Sequence, residues 1–262
     1  MTTEELQQKK KHWGFKNIRG SVHTKRTLMS AELSVLLDTI EGNASASTYI
    51  QAIIEDNLLR KQSVSNRKYT ASYLIDLYSL NPDILLFRAL RYYWEKDPEA
   101  HHSLALLCAY ARDSLLRKSW EYIKDLREGA QPEKTEMEDY LEIQYPGRFS
   151  QKVLQSVTRN LRSSWTQSGH LTGRRPKTRA LPSVSAGSLS YALLLGYLTG
   201  SRGELLFTSE YVELLDIPPN ALLELSHEAS RRGYIIFKRL GDVIEVGFPA
   251  EVLPEPDKGE WR

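Results

Sequence analysis

Between Glu142 and Glu204 the chain has no aspartate and no glutamate. Nine bases occupy the same stretch: Arg148, Lys152, Arg159, Arg162, Arg174, Arg175, Lys177, Arg179 and Arg202. Excluding negative charge over such a length raises the local positive potential and draws a polyanion. The polyanion expected is DNA. Cysteine is almost absent as well. Cys108 stands alone, which excludes an internal disulfide and any zinc site built on several cysteines. Its apolar surroundings, Leu104-Ala-Leu-Leu-Cys-Ala-Tyr110, mark it as a small core residue. No apolar run approaches the ~20 residues that span a bilayer. The longest, over 191–198, has the length of a core helix, so no membrane partner is expected. The start of the chain lacks the apolar stretch of a signal peptide, and the expected location is the cytoplasm.

What is present is charge in alternating blocks. Residues 1–31 hold seven bases and two acids, 32–142 thirteen and nineteen, 143–203 nine and none, and 204–262 six and twelve. The pattern points to a basic face on a protein of mixed charge. The competing reading is a solvated linker beside a disordered basic N-terminus. The 262 residues, 41% of them apolar, with 14 tyrosines, suit a soluble folded chain with one large core or two small ones.

The expected fold is mainly α, a helical N-terminal domain with helix-turn-helix character followed by a winged-helix-like unit with a β-hairpin. Residues 1–27 read as a basic irregular N-terminus, 28–166 as the helical domain, 167–188 as a basic linker, 189–250 as the winged-helix-like domain and 251–262 as a tail. Ser30, Ser47 and Ser65 are candidate caps for helices over 31–40, 48–60 and 66–78. In the second, Ile50, Ile53, Ile54 and Leu58 share a face. In the third, Tyr69, Tyr73, Leu74 and Leu77 are expected inward. Asn81-Pro82 and Asp97-Pro98 open two further helices, and helical patterns cover 113–127 and 149–165. No strand pattern occurs before residue 200. After the Gly- and Pro-rich loop 166–188 come helices over 189–199, 210–215 and 221–232. Two β-branched runs, 234–239 and 243–248, flank Leu240-Gly241-Asp242 as a hairpin.

Helices over 210–215 and 221–232 followed by a hairpin follow the order of a winged helix. In that arrangement Asn220, Glu224, His227, Ser230 and Arg231 face outward, and Arg231, Arg232, Lys238 and Arg239 cluster. The pair 48–60 and 66–78 is a second helix-turn-helix candidate, with Arg60, Lys61, Arg67 and Lys68 at its turn. An ordinary helical hairpin in a bundle gives the same pattern. Around the central loop, Arg159, Arg162, Arg174, Arg175, Lys177 and Arg179 are the leading phosphate contacts, interleaved with Trp165, Gln167, Ser168 and His170. Trp165 is read as a core anchor before a base-stacking platform.

No catalytic residue, metal ligand or cofactor site is expected. Ser168-Gly169-His170 is not a nucleophile elbow. Thr199-Gly-Ser-Arg-Gly203 follows a helix, the wrong context for a phosphate loop. The six histidines show no ligand spacing. The acids Glu136, Glu138, Asp139 and Glu142 read as a solvated helix face.

Three strings carry a family resemblance. Glu55-Asp-Asn-Leu-Leu59 with Arg67, Ser164-Trp-Thr-Gln-Ser-Gly-His-Leu171 with Lys177 and Arg179, and Tyr191-Ala-Leu-Leu-Leu-Gly-Tyr197 with Gly200-Ser-Arg-Gly203 and Leu205-Leu206 resemble, in order and spacing, the BrxA family. This family supplies small accessory components of BREX bacteriophage-exclusion systems. The similarity covers roughly residues 25–250; the lysine-rich start and the Pro/Glu tail fall outside it. The resemblance implies an all-helical body with helix-turn-helix character, double-stranded DNA binding, no enzymatic activity, and a role beside a site-specific DNA methyltransferase and an ATPase in phage defence. The rival expectations are a protein-interaction scaffold within the defence complex and an RNA-binding helical module.

Overall fold

The computed structural model of the chain describes residues 3–16, 20–241 and 243–254. The tail expected over 251–262 lies outside them from residue 255 onward, as does Asp242 of the hairpin turn. The described residues form twelve α-helices, two antiparallel strand pairs and short 3-10 turns. No helix among them is long and apolar enough to cross a membrane.

The N-terminus corrects the expectation of irregular chain. Thr3–Trp13 is a helix, α1, with Glu4 and Glu5 in its first turn and Lys10, Lys11 and His12 in its last. That charge order complements the helix dipole, and Trp13 anchors the end of α1 in the core. Next come α2 (Ser30–Thr39), α3 (Ala46–Ile54) and α4 (Val64–Tyr78). Helices α3 and α4 start two residues before the expected positions. Ser45 accepts from the Thr48 N–H, and Ser63 accepts from the Asn66 N–H. Both serines hold the extended backbone a cap needs. The buried faces differ in part from those expected. Tyr49, Ala52 and Ile53 go inward on α3 and leave Ile50 exposed; Thr70, Ala71, Leu74, Leu77 and Tyr78 go inward on α4 and leave Tyr69 exposed.

Four helices complete the N-terminal part: α5 (Leu85–Lys96), α6 (His101–Tyr110), α7 (Ser114–Lys124) and α8 (Lys134–Gln144). Then α9 (Gln151–Gln167) leads into a small antiparallel pair, β1 (Leu171–Thr172) and β2 (Thr178–Arg179), where only loop was expected. Gly173 closes this turn at φ +78; a Cβ there would sit 2.7 Å from the Pro176 carbonyl oxygen.

The centre of the fold is α10 (Ala186–Leu198), buried on every side except at Tyr197. It packs against α5, α6, α11 (Glu210–Glu213) and α12 (Pro219–Arg231). A helix apolar all round belongs in the middle of a core. Its N-terminus is fixed by a capping box of Ser185 and Ser188, and by buried Asp97, which accepts from the Gly187 N–H at 2.7 Å. A hydrophobic core runs from Trp13 to Leu253 through α10, so the loop 167–188 lies over one continuous core. The chain ends in the hairpin β3 (Ile236–Leu240) and β4 (Val243–Gly247), in register Lys238 to Glu245. Tyr93 donates to the Tyr234 carbonyl, and Tyr234 donates to the Lys96 carbonyl, tying the hairpin to α5.

Buried and half-buried arginines close several helix ends. Arg91 donates to the carbonyls of Leu37 and Ile40, Arg112 to those of Ile75 and Asp76, and Arg117 to that of Tyr110. Each serves carbonyls at or near a helix C-terminus, where the dipole also favours a cation.

Candidate nucleic-acid interface

The start of α8, the outer face of α9 and the loop between β1 and β2 enclose a groove of about 500 Å³. Six cations line it: Lys134, Arg159, Arg162, Arg174, Arg175 and Lys177, against one carboxylate, Glu133. Arg159 is exposed and reaches Ser156 at 3.2 Å. Arg174 and Arg175 are exposed at the loop tip. Lys177 is half-buried and donates to Thr166 Oγ1 at 2.6 Å; burial, and then the neighbouring Arg162, lower its pKa. Among the described residues, none of these four forms an ion pair with a carboxylate. The N-terminus of α8 also opens here, and Glu133 makes no side-chain cap. Concentrated positive charge beside free helix N–H groups is what recruits phosphate.

The structure corrects two of the expected contacts. Arg162 is buried; its Nη1 donates to the carbonyls of Pro132 at 2.9 Å and Glu133 at 3.1 Å. Burial lowers its pKa, and the side chain fastens the approach to α8 onto α9. Arg162 adds charge to the groove wall while these carbonyls hold its Nη1. Arg179 is only 4% exposed and lies outside the groove. It donates to the carbonyls of Ile123, His170 and Ala180 and pairs with Asp216. It closes the end of α7 and locks the small sheet to the turn before α12. Lys134 was not anticipated, because it sits in the acidic block and only the fold brings it to the groove. Its charge is shared with Glu138 at 2.7 Å.

The two secondary clusters are looser. Arg60 and Lys68 are exposed, while Lys61 pairs with Glu32 at 3.0 Å. Arg67 donates to the Ile54 carbonyl at 2.6 Å, closing the end of α3 and directing its charge into the protein. On α12, Asn220, Glu224, His227 and Arg231 are exposed, as expected, and Ser230 is half-buried. Arg232 pairs with Glu228 at 2.5 Å and Lys238 with Glu245 at 3.5 Å; Arg239 bonds the Gly241 carbonyl at 3.1 Å. Local carboxylates thus offset part of this cluster.

Two buried constellations resemble catalytic sets in composition. His23 lies between Ser164, 2.9 Å from Nε2, and Asp113, 3.2 Å from Nδ1. The Ser164 hydroxyl donates to the Asn160 carbonyl and accepts from the Leu28 N–H, so His23 Nε2 donates to it. A nucleophilic serine needs the opposite direction of proton transfer. The three side chains are inaccessible and tie residues 21–28 to α7 and α9. Burial pushes the Asp113 carboxyl up, but His23 and hydrogen bonds from Leu116 N–H and Ser21 outweigh it and hold the pKa at about 2. In the second set, Ser168 Oγ lies 3.0 Å from His170 Nδ1, and His170 Nε2 donates to the Leu214 carbonyl at 2.9 Å. Burial, assisted by Arg179, lowers the His170 pKa to about 4 against the hydrogen bond to Leu214, leaving a neutral ring packed edge-on to Trp120 and Trp165. Trp165 is fully buried and donates to Ser119. No group of three or more His, Cys, Asp or Glu among the described residues is placed to hold a metal ion.

The chain is therefore a mainly helical protein with a C-terminal antiparallel hairpin and a basic groove on one face. No protein family matches its sequence, and no curated protein matches it.

Proposed function

We propose that this protein is a non-enzymatic binder of double-stranded DNA that holds backbone phosphates in the groove between α8, α9 and the β1–β2 loop. The observation that carries the reading is the convergence of six cations from three separate segments on one concavity with a single carboxylate. Arg159, Arg174, Arg175 and Lys177 supply the accessible charge, and Lys134 and the N-terminus of α8 add to it. Contacts of this kind position a duplex without reading its sequence. Helices α3 and α4 are proposed as one helix-turn-helix, with Arg60 and Lys68 as its free bases. Helices α11 and α12 with β3 and β4 are proposed as a winged helix, with Arg231 as its freest base. The resemblance to the BrxA family supports placing this activity in BREX phage defence, beside a methyltransferase and an ATPase.

The test is a mobility shift with random-sequence duplex over a range of salt, with structured RNA as competitor. The reading expects binding that weakens steeply with salt and resists the RNA. No shift at micromolar protein near physiological salt refutes it. A second reading, a protein-interaction scaffold, is favoured by one observation: Leu240 and Val243 at the tip of the hairpin are 85% and 71% exposed. Exposed apolar groups on a unit rich in acids suit a protein partner. Association with other defence components that survives nuclease and high salt, combined with absent duplex binding, selects the scaffold.

A further inference from the structure

A second surface on the molecule has the chemistry of a stacking platform. Tyr69 is 57% exposed on α4, and its ring stacks on that of Tyr73 one turn later, with centroids 6.4 Å apart and planes 21° apart. The Arg26 guanidinium lies 5.2 Å from the centre of the Tyr73 ring. Lys25 and Lys68 are exposed on the same two segments, with Ser65 and Ser72 on the outer face of α4. The sole carboxylate of α4, Asp76, is held by Lys16 at 2.7 Å. A single exposed tyrosine is ordinary. Here two nearly parallel rings and a guanidinium lie close to one another, and exposed lysines adjoin them in the chain. Duplex DNA conceals its base faces. Unpaired bases display theirs, and they bind aromatic rings and arginine planes in cationic surroundings with little regard to sequence.

We propose that Tyr69, Tyr73 and Arg26 bind unpaired bases of single-stranded DNA, with Lys25 on the adjoining phosphates. This site is separate from the basic groove and takes a different form of nucleic acid. Its residues lie outside α8, α9 and the β1–β2 loop, so Tyr69 can be replaced without touching the groove.

The experiment is fluorescence anisotropy of labelled oligo(dT) and of a labelled duplex with the full chain, its Tyr69→Ala variant and its Tyr69→Phe variant. Removing an aromatic that stacks a base weakens binding by about tenfold. The expected result is that loss for oligo(dT) with Tyr69→Ala, near-complete retention with Tyr69→Phe, and unchanged duplex binding by both. Because Tyr69 is exposed, both variants are expected to melt with the wild type. Equal oligo(dT) affinity of wild type and Tyr69→Ala overturns the proposal, as does absence of oligo(dT) binding by the wild type. Tighter binding of oligo(rU) than of oligo(dT) overturns its assignment to DNA. Duplex binding without oligo(dT) binding refutes this proposal alone; the reverse result refutes the groove alone.

Discussion

Replacing Arg179 by methionine separates charge that supports the fold from charge available to a ligand. Arg179→Met keeps an unbranched apolar stem and most of the volume of the side chain. It deprives the carbonyls of Ile123, His170 and Ala180 of a donor and leaves Asp216 without its partner. Breaking a buried charge pair by removing one member costs roughly 3–5 kcal/mol. The Asp216 side chain is 29% exposed, so water relieves part of its loss. The lower end, about 3 kcal/mol, is the expected figure. A chain of this size shifts by roughly 2–4 °C per kcal/mol, so the melting temperature should fall by roughly 6–12 °C. Calorimetry measures the fall, and duplex binding well below the melting point should match the wild type. A variant that melts with the wild type and loses duplex binding refutes the reasoning, because Arg179 would then be a phosphate contact.

Other consequences follow from the packing. His170 is held neutral in the fold with a pKa of about 4, below the 6.5 of an unrestrained imidazole. Its contribution is complete above pH 6.5 and is lost as pH falls toward 4, because the unfolded chain takes up the proton first. The shift corresponds to about 3 kcal/mol, and urea midpoints should drop across this window in the wild type and flatten in His170→Gln; parallel slopes contradict it. A methyl group on Gly187 would meet the Asp97 Cβ at 2.8 Å and push the carboxylate off the N-terminus of α10. Gly187→Ala should therefore cost about 1–3 kcal/mol in urea unfolding, and a neutral outcome contradicts the close packing described.

Much of the fold was legible where local physics decides it. The helical runs and the glycine turn of the hairpin are encoded within a few residues of where they act. Two nearby serines at α3 and two at α4 could each cap, and the expectation took the later of each pair. Tyr69 was expected inside because it is spaced with Tyr73, Leu74 and Leu77 for one apolar face. Helix α1 was missed because its residues are polar except Leu6 and Trp13, and the order of its charges was the available signal. The basic groove was partly legible: four of its cations lie in the acid-free segment and are accessible. Sequence could not show that Arg162 and Arg179 in that segment serve backbone carbonyls, since the carbonyls come from residues far along the chain. Lys134 was hidden for the converse reason, being surrounded in sequence by acids and joined to the groove only by the packing of α8 on α9.

The most direct test of the groove is the salt dependence of duplex binding for the wild type and for Arg159→Ala/Arg174→Ala/Arg175→Ala. Each phosphate no longer neutralised should remove about 0.9 from the slope of log affinity against log salt, so the triple variant should be shallower by about 2.7. Because the three side chains are exposed, stability should stay within roughly 1.5 kcal/mol of the wild type, about 0.5 for each. A folded triple variant with an unchanged slope contradicts the groove as the site of phosphate binding.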